Sequence, residues 1–153
     1  MEIFQFIVKK FPSITTLVLN DPQKPSRFDN KNHRHEYISH LSQDLLSNDS
    51  LKLCSITKSC FRSRAERDNY NLFRCLLYLL PNLTHLQMFF ERSLYHKIRK
   101  HEYEDNVLRS RLNHIKYVQI IHFYDEKNFF SNEEVHYLFP NAQMLFQYGD
   151  DDF

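Results

Sequence analysis

The chain has 153 residues, enough for one domain with a sizeable core, of which 42% are apolar and 25% charged. Its formal net charge of +1 gives no global electrostatic case for binding nucleic acid or an anionic membrane. A single glycine, Gly149, excludes glycine-rich phosphate loops and dinucleotide fingerprints and leaves the turns to Pro, Asn, Asp and Ser.

Read in chain order, helical and strand patterns alternate. Ile3, Phe4, Ile7, Val8 and Phe11 form an apolar helix face that Pro12 stops, and a short strand follows near 14–19. A long polar loop, NDPQKPSRFDNKNHRHE, leads to a second helical pattern at Tyr37, Ile38, Leu41, Leu45 and Leu46, then a strand near 51–56. The loop TKSCFRSRAERD carries Lys58, Arg62, Arg64 and Arg67. Leu72, Phe73, Leu76, Leu77 and Leu80 give a third helix face ending at Pro81, with a strand near 83–88. YHKIRKHE reads as another loop, with Lys97, Arg99 and Lys100. Val107, Leu108 and Leu112 precede a strand near 115–120. Ser131 and Glu134 have capping-box spacing ahead of Val135, Leu138 and Phe139, and Pro140 separates that helix from a strand near 142–147.

The strands repeat one pattern. Their first apolar positions, Ile14, Leu51, Leu83, Ile115 and Ala142, recur at intervals of roughly 30 residues, the period of a repeat architecture. Units of helix, proline or asparagine turn, and half-buried strand, repeated in one direction, stack into a parallel sheet with helices outside. Ile14-x-x-Leu17-x-Leu19, Leu51-x-x-Cys54-x-Ile56, Leu83-x-x-Leu86-x-Met88 and Ile115-x-x-Val118-x-Ile120 resemble the strands of leucine-rich repeat proteins. The resemblance covers nearly the whole chain and implies one α/β solenoid domain over 1–153, with about five irregular units. The asparagine or cysteine that follows the third leucine in the family is not regular here. Such irregular arrays are similar to those carboxy-terminal to an F-box in substrate receptors of cullin-type ubiquitin ligases. No F-box is visible, because the stretch before Phe11 is too short for one. The chain is therefore either part of a longer protein or an array with a short amino-terminal cap.

Alternation along each strand places the intervening residues on the concave sheet face, the usual binding surface of a solenoid. The candidates are His85, Gln87, Phe89, Tyr117, Gln119, Met144, Phe146 and Tyr148, and the Tyr, Phe, His and Met among them are what protein-binding hot spots use on an open face. The other reading is that a terminal loop or the tail GDDDF covers them. Lys58, Arg62, Arg64, Arg67, Lys97, Arg99 and Lys100 form a possible basic rim for an acidic or phosphorylated segment, although interspersed acids favour an ordinary solvated edge.

Reactive chemistry finds little support. In HRHEYISH, Glu36 and His40 share a helix face, and His33 or His35 could join them, but three or four converging zinc ligands and the H-E-x-x-H order are missing. Asp150, Asp151 and Asp152 read as a frayed terminus rather than a cation site. Cys60 lies near Lys58 and Arg62, with no histidine placed to make it catalytic. Cys54, Cys60 and Cys75 contain no CxxC pair and fit reduced, mostly buried thiols. With a poor signal peptide and no membrane-length apolar run, the sequons at Asn48 and Asn82 read as chance and the chain as intracellular, cytoplasmic or nuclear.

These readings converge on a protein-binding module without a cofactor or a reaction of its own. The resemblance implies the substrate-recognition part of an F-box-type ligase receptor, with a ubiquitination substrate as partner and a cullin-ligase adaptor if an F-box lies upstream. A stand-alone interaction scaffold is the alternative. An RNA-binding solenoid is a third reading, which the net charge argues against.

Overall fold

A computed structural model describes residues 14–20, 52–62, 69–89, 91–122 and 130–148. Five strands, β1 (Thr16–Asn20), β2 (Lys58–Arg62), β3 (His85–Phe89), β4 (Tyr117–His122) and β5 (Gln143–Tyr148), form one sheet in sequential order. Every neighbouring pair is parallel. Four helices are described: α1 (Asn69–Leu79), α2 (Arg92–His101), α3 (Asn106–His114) and α4 (Asn132–Leu138). Crossovers between parallel strands are right-handed as a rule, and strands taken in sequential order then carry their connecting helices on one side of the sheet. The core agrees: Phe73, Leu76, Leu94, Ile98, Leu108 and Val135 from the helices share one buried cluster with Leu86, Met88, Val118 and Ile120 from the strands. The chain is thus α/β, with a five-stranded parallel sheet and helices against one face. The helices expected around Ile7 and Leu41 lie outside the described residues.

The helices follow local signals to different degrees. In α1 the spaced apolar residues Phe73, Leu76 and Leu77 are buried, and Leu80 just beyond its end is buried as well. α4 begins with the capping box expected at Ser131: its hydroxyl accepts from the Glu134 amide, and the Glu134 carboxylate accepts from the Ser131 amide. α3 buries Leu108 and Leu112 but leaves Val107 exposed. α2 corrects the reading of YHKIRKHE as a loop. Its Leu94, Tyr95 and Ile98 are buried, and that narrow stripe anchors a helix otherwise made of charged and polar residues.

The second strand also departs from expectation. It runs over Lys58–Arg62, not 51–56. Leu53 and Ile56 are buried, but they close the turn that precedes the strand: the Ile56 amide donates to the Leu53 carbonyl at 3.2 Å. The same turn recurs as Leu83 to Leu80, Ile115 to Leu112 and Ala142 to Phe139. The recurrent apolar pair therefore belongs to a turn ahead of the strand, which starts after it.

After three of these turns one linking residue precedes the strand: Thr57, Thr84 or Lys116. Thr57 and Lys58 both donate to the Thr15 carbonyl, Thr84 and His85 both to Thr57, and Lys116 and Tyr117 both to Thr84. In the fifth unit Ala142 closes the turn and Gln143 follows at once as the first strand residue, donating to the Lys116 carbonyl at 2.8 Å. The linking residue has no counterpart there. Because side chains alternate along a strand, its loss inverts which residues of β5 face the helices.

Candidate interaction face

The sheet register lays out the face turned away from the helices row by row. Thr16, Lys58, His85, Tyr117 and Gln143 stand side by side at the amino-terminal ends of the strands. Val18, Cys60, Gln87, Gln119 and Leu145 form the middle row. Phe89, Ile121 and Gln147 lie in the next row. The opposite parity faces the helices: Leu17, Ser59, Leu86, Val118 and Met144 form one row there, and Phe61, Met88, Ile120 and Phe146 stand in the next.

The outer face is open in its first row and at both ends of its middle row, while Phe89 and Ile121 are buried in the next row beside exposed Gln147. Tyr117 is 44% exposed, Val18 55% and Leu145 60%. Lys58, Thr16 and Gln143 are exposed too, and His85, Gln87 and Gln119 are half-buried. Phe89 is only 8% exposed, and Ile121 matches it. His85 stacks on Tyr117 across the strand pair, and the Thr84 hydroxyl lies 2.9 Å from its Nδ1. The Gln119 side-chain amide donates to the side-chain carbonyl of Gln147. This row of polar groups on a rigid ladder, with apolar side chains at both ends of the middle row, can hold a surface by complementarity. The outer row also includes a basic group, the Lys58 ammonium.

The sequence-derived candidates divide accordingly. His85, Gln87, Tyr117 and Gln119 come together on the outer face. Phe89 has the expected parity but is buried, so it offers little surface to a partner. Met144 and Phe146 are corrected: they pair with buried Val118 and Ile120 and pack against the core. The missing linking residue between turn and strand in the fifth unit is the cause. Tyr148 ends β5, and its side chain lies outside the described residues. Leu145, Gln143 and Gln147 take the outer positions instead. The apolar alternation Ala142-x-Met144-x-Phe146 is the signal in the sequence that could have found this.

Among the described basic residues, Lys58 stands on the sheet and Lys97, Arg99 and Lys100 stand on α2, so these four do not share one rim. Lys58 opens β2, at the end of the strand away from the loop that follows it. Arg62 closes β2 with a side chain outside the described residues, and Arg64 and Arg67 lie outside them altogether. Lys97, Arg99 and Lys100 belong to α2 in the helical layer. Lys97 donates to Asn69 Oδ1 at 3.1 Å, and the Arg99 guanidinium sits 5.0 Å from the centre of the Tyr137 ring.

The helical layer has its own polar networks. Asp105 caps α3 by accepting from the Leu108 amide at 2.9 Å, and its other oxygen accepts from Arg74 Nε at 2.8 Å and from the Tyr78 hydroxyl. Burial pushes the Asp105 carboxyl up, but the Tyr78 hydroxyl, the Leu108 amide and the Arg74 guanidinium outweigh it and hold the group below the usual carboxylate range. Burial raises the Tyr78 phenol, and the Asp105 carboxylate raises it further. The Tyr137 hydroxyl donates to Glu102 Oε1 at 2.6 Å, and that bond raises its phenol. These contacts tie helices together.

Cys60 and Cys75 are buried and Cys54 is exposed, all as free thiols. The histidines of HRHEYISH and the aspartates of the tail lie outside the described residues. Among the described residues no helix is long and apolar enough to cross a membrane. No family model, curated protein or solved structure matches the chain.

Proposed function

We propose that the chain is a protein-binding module, built as a leucine-rich-repeat-like solenoid, that takes its partner on the outer face of the sheet. One observation carries the reading. Parallel sheets are ordinarily covered on both faces, yet Val18, Tyr117 and Leu145 stay 44–60% exposed on the side away from the described helices. The recurrent turn at Leu53, Leu80, Leu112 and Phe139 and the sequential strand order support the solenoid. The mechanism is surface complementarity, and the reading assigns the chain no reaction of its own.

The resemblance to repeat regions of F-box receptors supports a finer version, in which the partner is a ubiquitination substrate and the chain works inside the cell. Ubiquitin transfer then takes place on other subunits. A transcript that extends upstream of Met1 into an F-box, with an intact protein mass to match, supports the ligase version. A native chain that begins at Met1 leaves the scaffold version.

The face itself is tested with a photo-crosslinking amino acid. Placed at Tyr117, it captures a protein partner in cells. Placed at Lys100 in the helical layer, it does not capture that partner. Equal capture from both positions, or none from Tyr117, sinks the assignment.

A further inference from the structure

In the helical layer two phenols meet. The hydroxyl oxygens of Tyr103 and Tyr137 lie 2.5 Å apart, although the residues are 34 positions apart in the chain. Tyr103 stands in the turn joining α2 to α3 and Tyr137 on α4, and both are open to solvent, at 67% and 40%. The Tyr137 hydroxyl donates to Glu102 Oε1 at 2.6 Å, so the hydrogen between the two phenols is the one carried by Tyr103. The three groups form a chain from Tyr103 through Tyr137 to Glu102, which is buried. The Arg109 guanidinium lies 5.2 Å from the centre of the Tyr103 ring, and that of Arg99 lies 5.0 Å from the Tyr137 ring, contacts that hold both rings in place. Tyr117, the other exposed tyrosine among the described residues, stacks on a histidine instead.

We propose that Tyr103 and Tyr137 are a site of oxidative coupling, where hydrogen peroxide acting through a peroxidase joins them into a dityrosine that staples the α2–α3 turn to α4. Phenols couple through the ring carbons next to the one bearing the hydroxyl, and the product keeps its two hydroxyls side by side. The hydroxyl contact between Tyr103 and Tyr137 is therefore the approach that the reaction needs. Each phenol gives up one electron and its hydroxyl proton and becomes a phenoxyl radical. The guanidiniums over the rings oppose positive charge on them, so the proton leaves with the electron, and Glu102 is placed to take it from Tyr137. The two unpaired electrons then form one carbon–carbon bond. The hydrogen on each newly joined carbon passes to the oxygen of its own ring and restores both phenols. The pair loses two electrons and two protons in all, and one hydrogen peroxide takes them up and leaves as two waters.

The test treats the full 153-residue chain, kept dilute, with a peroxidase and hydrogen peroxide. The expected product is a monomer with dityrosine fluorescence, and its tryptic digest contains one fragment, lighter by two hydrogen atoms, that joins the peptides holding Tyr103 and Tyr137. Tyr103→Phe and Tyr137→Phe are each expected to abolish that fragment, because the ring they leave has no hydroxyl to oxidise. Tyr117→Phe is expected to leave its yield unchanged. The digest of the parent decides even if a variant folds poorly: no dityrosine, a fragment that joins other tyrosines, or coupling only between molecules overturns the proposal. The coupled monomer is expected to unfold at a higher urea concentration than the untreated chain, because a cross-link between residues 34 apart restricts the unfolded state. Tyr137→Phe treated in the same way controls for oxidation elsewhere and is expected to show no such shift. An unchanged midpoint in the coupled parent, or an equal shift in treated Tyr137→Phe, overturns the staple.

Discussion

His85 and Tyr117 stand opposite each other on neighbouring strands with ring centroids 4.4 Å apart and planes 20° from parallel. The stack lies at the centre of the first row, and the Thr84 hydroxyl lies 2.9 Å from the histidine Nδ1. Cross-strand aromatic pairs contribute roughly 0.5–1 kcal/mol, and partial exposure places this one at the lower end. A double-mutant cycle of His85→Ala and Tyr117→Ala in urea is expected to give a coupling of about 0.5 kcal/mol. A coupling of zero would mean the rings touch without ordering the face.

The inverted parity of β5 sets Met144 against Leu145. Met144 pairs with buried Val118 and packs on the core, whereas Leu145 is 60% exposed. Leu145→Asp is expected to change stability by no more than about 0.5 kcal/mol, as surface substitutions do. Met144→Asp puts a carboxylate against the core and is expected to cost roughly 2 kcal/mol or more. Chemical denaturation of the two variants decides. The opposite ranking would restore the parity that the fifth unit shows when its proline is aligned with that of the third.

Local signals made part of this architecture legible. Phe73, Leu76, Leu77 and Leu80 mark α1, and Ser131 with Glu134 marks the start of α4, because both patterns act within a turn or two of chain. His85, Gln87, Tyr117 and Gln119 follow from alternation on β3 and β4. The second strand is hidden for a physical reason. Ser59 occupies the inward position held by Leu17, Leu86 and Val118, so the apolar alternation is missing where the strand runs. The serine is tolerated there because its hydroxyl donates to the Leu17 carbonyl at 2.9 Å. Leu53 and Ile56, spaced like strand residues, instead anchor a turn. α2 carries the i, i+4 pair Leu94 and Ile98 with Tyr95 beside them, a stripe narrow enough to be lost among its charged residues, and the parity of β5 depends on a single residue absent between a turn and its strand.

Asp105 links stability to pH. Its folded carboxyl lies below the usual range, so the folded state binds the proton less readily than the unfolded chain. The stabilisation is complete above the unfolded value of about 3.9 and is lost as pH falls through the lower folded value. Asp105→Asn keeps a good helix cap but loses the charge beside Arg74, and is expected to cost about 1–2 kcal/mol at neutral pH. It is also expected to flatten the acid limb of the stability curve. Asp105→Ala removes the cap as well and is expected to cost about 1 kcal/mol more. An acid limb as steep in Asp105→Asn as in the parent would assign the pH dependence to another group.

A side chain from the next unit clasps a carbonyl in three successive turns. Asn82 Nδ2 donates to Cys54 O at 2.8 Å, Arg111 Nη1 to Pro81 O at 3.0 Å, and Asn141 Nδ2 to Asn113 O at 2.9 Å. Cys54, Pro81 and Asn113 each follow the turn's first anchor, Leu53, Leu80 or Leu112, so the accepting position is equivalent in all three. Asparagine to aspartate preserves shape, removes the donor and turns a negative oxygen towards the carbonyl. Asn82→Asp and Asn141→Asp are each expected to cost about 1 kcal/mol, and the alanine variants about 0.5–1, since both sites are partly open to water. The two clasps share no partner, so the double variant is expected to lose the sum. Additivity is what contacts confined to adjacent units produce, which is how stacked repeats are held together. A loss confined to one of the two asparagines would mean the turns are not equivalent, and the solenoid reading would lose its main structural support.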